Sequence, residues 1–117
     1  MINGVETKKS NQRRAPRRKP KGFVKLECRK GSLGLGTNLA TILLDVSETG
    51  ARLVVNQALT VGQEVEVVFA GYAIYHAIKR LANLRWALRL EDGKFCIGVE
   101  FQKRLDFRDL QTVASPT

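Results

Sequence analysis

Two short stretches of this 117-residue chain carry side chains that could do chemistry. The first is "QRRAPRRKP", residues 12–20, in which Arg13 precedes Arg17 and Arg14 precedes Arg18 at the same Arg-x-x-x-Arg spacing. Guanidinium groups are planar forks of donors that fit phosphates and carboxylates in bidentate fashion. The second is "ILLDVSETGARLVV", residues 42–55, an apolar run broken by Asp45, Ser47, Glu48, Thr49 and Gly50. Two strands joined by a turn would explain that break, and so would a ligand site built at the end of a strand. The first stretch binds anions. The second offers a carboxylate and a hydroxyl where the backbone reverses.

Other constellations carry less. "GSLGLG" at residues 31–36 superficially resembles a phosphate loop. It lacks the strand-loop-helix setting and the Lys-Ser or Lys-Thr ending that such loops need, so it reads as a plain turn. His76 is the only histidine and lies among apolar residues, so no Ser/His/Asp or Cys/His set can be assembled. Glu91 and Asp92 fall in a turn and read as solvated. Cys28 and Cys96 have no CxxC spacing, and with one histidine in the chain a zinc site is not expected. They read as reduced, half-buried core residues. No enzyme, cofactor or metal is expected.

The elements that must position these residues follow from charge and periodicity. The formal charge is +9, but residues 1–21 hold eight basic side chains against Glu6 alone, a surplus of +7. The remainder is a nearly neutral domain, and 44% apolar content is enough for one modest core. With almost no apolar side chains and with Pro16 and Pro20, residues 1–21 read as an unfolded basic arm. Such an arm attracts nucleic acid, anionic lipid or a small phosphorylated ligand. No apolar run is long enough to span a bilayer, and the N-terminal "MINGVETKKSNQ" shows no signal region. A cytoplasmic protein without membrane insertion is expected.

From residue 22 to about 114 the chain reads as one domain. "FVKLECR" alternates with period two, setting Val24, Leu26 and Cys28 on one face. "TNLATILLDV" is expected to be a more buried second strand, and "GARLVV" a third. "EVEVVFA" places Val65, Val67 and Phe69 on one face. The segment 72–93 has helical composition, yet "NLRWALRL" alternates and precedes Asp92-Gly93, a hairpin turn, which predicts a strand over 83–91. In that alternation Trp86, the only tryptophan, shares a face with Leu84 and Leu88. "FCIGVEF" is the returning strand. Leu105, Leu110 and Val113 space a short helix with Asp106 as N-cap. The pattern is mainly β: six short strands and a C-terminal helix, a small antiparallel barrel.

Neither motif says much alone. In this order, ahead of a strand-rich domain, they resemble the PilZ family of bacterial cyclic di-GMP receptors, whose signature is RxxxR followed by (D/N)xSxxG. "RRAPR", "DVSETG" and the late "GVEF" carry the resemblance, which covers roughly residues 12–114. It implies a six-stranded antiparallel barrel with a C-terminal helix, and a ligand site formed by Arg13, Arg14, Arg17, Arg18, Asp45, Ser47, Gly50, Ala51 and Trp86. The residue types suit that ligand. Arginine matches guanine O6 and N7 or a phosphate and stacks on a purine, while Asp45 accepts from the guanine N–H donors. Arg13 with Arg17 is the favoured pair, because Pro16 directly precedes the second arginine. In the family the residue before RxxxR influences whether one ligand or a stacked pair binds; it is Gln12 in one register and Arg13 in the other. The resemblance also implies relay of the signal, by a change of shape, to a downstream protein. The rivals are a nucleic-acid module, for which the arm lacks interleaved aromatics, and an adaptor for an acidic protein. Nucleic-acid binding beyond a weak, unspecific kind is not expected.

Overall fold

The computed structural model describes residues 16–71 and 74–116. Period-two patterning sets the frame: Val65, Val67 and Phe69 alternate along one strand and all are fully buried. Six strands run in chain order, β1 (Lys25–Lys30), β2 (Ala40–Val46), β3 (Gly50–Val55), β4 (Glu64–Ala70), β5 (Ile78–Arg89) and β6 (Phe95–Phe101), followed by one helix, α1 (Phe107–Val113). They form a single antiparallel sheet in the order β1-β4-β5-β6-β3-β2. The end strands curl back toward each other into a nearly closed barrel. Across the seam Leu39 N–H donates to Cys28 O at 2.8 Å, and Cys28 N–H to Asn38 Oδ1 at 2.9 Å. A groove of about 480 Å³ remains beside the seam, lined by Lys21, Val24, Leu26, Asn38, Thr41 and Leu43 among others.

Leu53, Leu84 and Ile97 fill the barrel with the β4 residues, and Phe69 meets Phe101 edge-on with centroids 6.1 Å apart. Burying such side chains contributes roughly 1.5–3 kcal/mol each. Leu105, Leu110 and Val113 join this core from the C-terminal segment. The helix starts as expected, with Asp109 N–H donating to Asp106 Oδ1 at 2.7 Å. The "GSLGLG" loop is a turn, with Gly31, Gly34 and Gly36 all at positive φ.

The fold departs from the expectations at β2, at the start of β5 and at the end of the arm. β2 is not a buried strand: Ile42 is 56% and Leu44 38% exposed. It lies at one end of the sheet order and slips register between Ala40 and Ile42 and again between Leu43 and Asp45. β5 begins at Ile78, well before residue 83, because β4 and β6 flank it on both sides and override its helical composition. Residues 18–21, read as the end of an unfolded arm, are hydrogen-bonded to the body on two sides. Arg18 bridges Val46 and Pro20 bridges Ala114. No helix of the described residues is long and apolar enough to cross a membrane.

Candidate functional site

The polar break in "LLDVSETGAR" is a turn between β2 and β3, and Ser47 builds it. Ser47 N–H donates to Gly50 O at 2.8 Å. Its buried hydroxyl oxygen in turn accepts from the N–H groups of Thr49 and Gly50, each at 3.2 Å. Gly50 is needed for space rather than for φ, since a Cβ there would lie 2.3 Å from Val99 O on β6. The turn is also tied to the segment after β6. Phe101 N–H donates to Thr49 O and Leu105 N–H to Glu48 O, both at 2.8 Å, and Arg104 forms an ion pair with Glu48.

Asp45 stands next to last in β2, opposite Arg52 on β3. Arg52 Nε donates to Asp45 Oδ2 at 2.7 Å, and Nη2 reaches the same oxygen. The hydrogen bond to Asp45 holds the Arg52 guanidinium above the ordinary arginine pKa; burial, the next largest effect, opposes it, and the charge of Asp45 adds to it. The other carboxylate oxygen, Oδ1, is buried and has no hydrogen-bond partner among the described residues. Asp45 as a whole is only 7% exposed. An unsatisfied carboxylate oxygen in such a place is unusual.

The register carries this row across the sheet. Asp45 pairs with Arg52, Arg52 with Gly98 and Gly98 with Trp86, so the four lie side by side on the outer face of β2, β3, β6 and β5. At about 4.8 Å per strand the row spans roughly 14 Å. Trp86 lies against the Gly98 backbone, where a Cβ would come within 2.3 Å of its Nε1. Trp86 remains 36% exposed. This overturns the expectation that Trp86 shares a face with Leu84. A register slip between Leu84 and Trp86 adds one residue, so Leu84 points into the core and Trp86 out of it.

The described end of the arm passes the same place. Arg18 N–H donates to Val46 O at 2.8 Å, and Val46 N–H to Arg18 O at 2.9 Å. This antiparallel bridge extends the edge of β2. Beyond it, Lys21 N–H donates to Val113 O at 2.9 Å and Ser115 N–H to Lys19 O at 2.8 Å. The C-terminal segment is thus held by the turn before α1 and by the arm after it.

Asp45, Ser47, Gly50 and the Arg18 backbone lie close together, and Arg17 is exposed. Ala51 packs its methyl into the core, leaving only its backbone to the site. Arg13 and Arg14 lie outside the described residues. Arg52 and Gly98 were missed. The signal for Arg52 was present, since a four-residue turn over 47–50 in an antiparallel hairpin sets residue 51 opposite residue 46 and residue 52 opposite residue 45. The groove at the β1–β2 seam is lined by neither Asp45 nor Trp86. No curated protein matches the chain. The model of one known domain, the PilZ domain, matches residues 11–115.

Proposed function

Because the chain belongs to the PilZ domain family, a family of cyclic di-GMP receptors, we propose that it binds cyclic di-GMP on the outer face of the barrel through the arm and the Asp45 turn. The observation that carries this reading is the buried, unpartnered Asp45 Oδ1 beside the bridge that anchors Arg18. A buried acceptor without a partner costs about 1–3 kcal/mol, and a guanine N–H placed there would recover it. Arg52 holds the carboxylate in position from the other side. The arginines take the phosphates and the guanine O6/N7 edge. Trp86, with one face on Gly98 and the other open, offers a stacking surface at the far end of the row.

Our reading of the arginine register rests on the same bridge. Pro16 favoured Arg13 with Arg17. The two backbone bonds between Arg18 and Val46 favour Arg14 with Arg18, because they fix the inner arginine one residue from Asp45. Ser47 acts on the turn, with its hydroxyl already engaged by two backbone N–H groups. The relay is a change of shape: ligand orders the arm over the barrel, and the arm and the turn together grip the two ends of the C-terminal segment. The output is a surface for a downstream protein. The protein acts as a receptor without catalysis of its own, in the bacterial cytoplasm, where Cys28 and Cys96 remain free thiols.

Calorimetric titration with cyclic di-GMP tests the reading. Saturable binding is expected, with linear di-GMP and GTP much weaker, and tryptophan fluorescence should change on binding. Asp45→Ala and Arg18→Ala should each weaken binding roughly 10- to 200-fold, the loss of one charge-assisted hydrogen bond. Arg17→Ala should weaken it less; the opposite order restores the Arg13 and Arg17 register. Absence of binding at high micromolar ligand removes the proposal. Near 150 mM salt the dinucleotide should stay bound while duplex DNA, which loses about a thousandfold or more between 50 and 200 mM when six to ten phosphates are neutralised, falls away.

A further inference from the structure

The β5–β6 hairpin carries an edge that the barrel does not use. β4 pairs with β5 only as far as Glu64 and Asn83. One residue further, Leu84 N–H donates to Gln63 O at 2.9 Å, and Leu84 O accepts from Gly62 N–H at 2.7 Å. From there β5 runs on to Arg89 paired with β6 alone, and residues 85–89 are exposed on both faces. On the β6 side Leu90 N–H donates to Lys94 O at 2.8 Å. Backbone direction alternates along an antiparallel strand. Leu88 and Trp86 therefore turn toward β6, while the N–H and C=O of Ala87 and Arg89 turn to the open side. Among the described residues no hydrogen bond reaches that open side beyond Leu84.

We propose that this edge pairs with the same edge of a second copy of the chain, antiparallel about a two-fold axis through Leu88. In that register Ala87 faces Arg89 of the partner subunit, and each such pair exchanges N–H···O bonds, as the free groups require. Leu88, 61% exposed, meets its own copy on the outer face, and Trp86 meets the partner's Leu90. The charges choose this register. Arg85 comes within side-chain reach of the partner's Glu91, in the turn that follows β5, twice by symmetry. Sliding the axis to Ala87 would set Arg85 against Arg89 of the partner subunit instead. Glu91 makes no ion pair among the described residues. Arg85 already pairs with Glu100 of its own chain, and its guanidinium has donors for both carboxylates. Five residues of strand make a small interface, so the dimer is a weak one, with a dissociation constant on the order of 10–100 µM. The proposal rests on β5 alone and stands whether or not cyclic di-GMP is the ligand.

The register is tested by cysteine cross-linking. Leu88 lies across from Cys96 within its own sheet, so the test uses the Cys96→Ser background. Opposed residues of a non-hydrogen-bonded antiparallel pair have Cα atoms about 4.5 Å apart, inside disulfide range. Mild oxidation of Leu88→Cys should give a covalent dimer in high yield, and Arg89→Cys, whose copy lies out of register, should give little. In sedimentation equilibrium the wild-type mass should rise from monomer toward dimer as concentration increases from about 5 to about 500 µM. Glu91→Arg should keep the chain monomeric over that range, and Arg85→Glu combined with Glu91→Arg should restore association. A monomer at every concentration overturns the proposal. So do equal cross-linking at 88 and 89, and a dimer indifferent to the charge reversals.

Discussion

Ser47 and Gly50 show how two small residues of one motif are required for unlike reasons. The Ser47 hydroxyl satisfies two turn N–H groups, so Ser47→Ala leaves them without an acceptor and should cost about 1–3 kcal/mol. Gly50 makes room for the Val99 carbonyl, and a methyl group there would meet backbone, which cannot swing aside as a side chain can. Gly50→Ala should therefore cost at least as much, toward the upper end of the roughly 1–3 kcal/mol of overpacking. Urea denaturation of both variants checks this, and a near-neutral Gly50→Ala would show that β3 and β6 can part there without penalty. Asp45 and Arg52 carry the sequence lesson at this scale. The carboxylate was legible from its motif. Its partner Arg52 carries no motif signal of its own, although a four-residue turn over 47–50 sets residue 52 opposite residue 45.

The elements were legible where one signal governed them and obscure where two competed. β4 and β6 read correctly because strict alternation and a Gly-containing turn agreed with each other. β2 misled because its Ile and Leu residues have strand character whether the strand is central or terminal, and only sheet order decides that they face solvent. β5 misled more subtly. Its alternation is unbroken in the sequence, so nothing in "NLRWALRL" announces the extra residue that turns Trp86 outward. Gly98 is the counterpart of that bulge: the indole needs a residue without a side chain beneath it. Gly98→Ala should lift the indole from the sheet. We expect a red shift of tryptophan emission and greater quenching by iodide, with the barrel still folded by circular dichroism. An unchanged spectrum would show that the ring has another stable seat. Residues 18–21 were illegible for a different reason: their pairing uses backbone atoms, and a composition of Arg, Lys and Pro says nothing about where the backbone is tied.

At the scale of the molecule, burial has a cost that pH can read. Cys28 is fully enclosed in the barrel, and that burial pushes its thiol from 9.0 to about 11, with Arg29 pulling weakly the other way. Between those values the unfolded chain has released the proton and the folded chain has not, so stability falls as pH rises. The contribution is fully present below pH 9 and is lost by about pH 11. Denaturation of wild type and Cys28→Ala at stepped pH should show the wild-type advantage shrinking through that window; a constant difference would mean the thiol ionises without unfolding. The same closed body has its chain entry and exit side by side, Pro20 bridged to Ala114. The unit from residue 18 to residue 115 is thus a loop pinched at its neck. Grafted into a surface turn of an unrelated host, it would ask the host to part its chain by little more than the spacing of two paired strands, about 5 Å. Geometrically, the barrel can travel between proteins as an insert as readily as it can hang from an end.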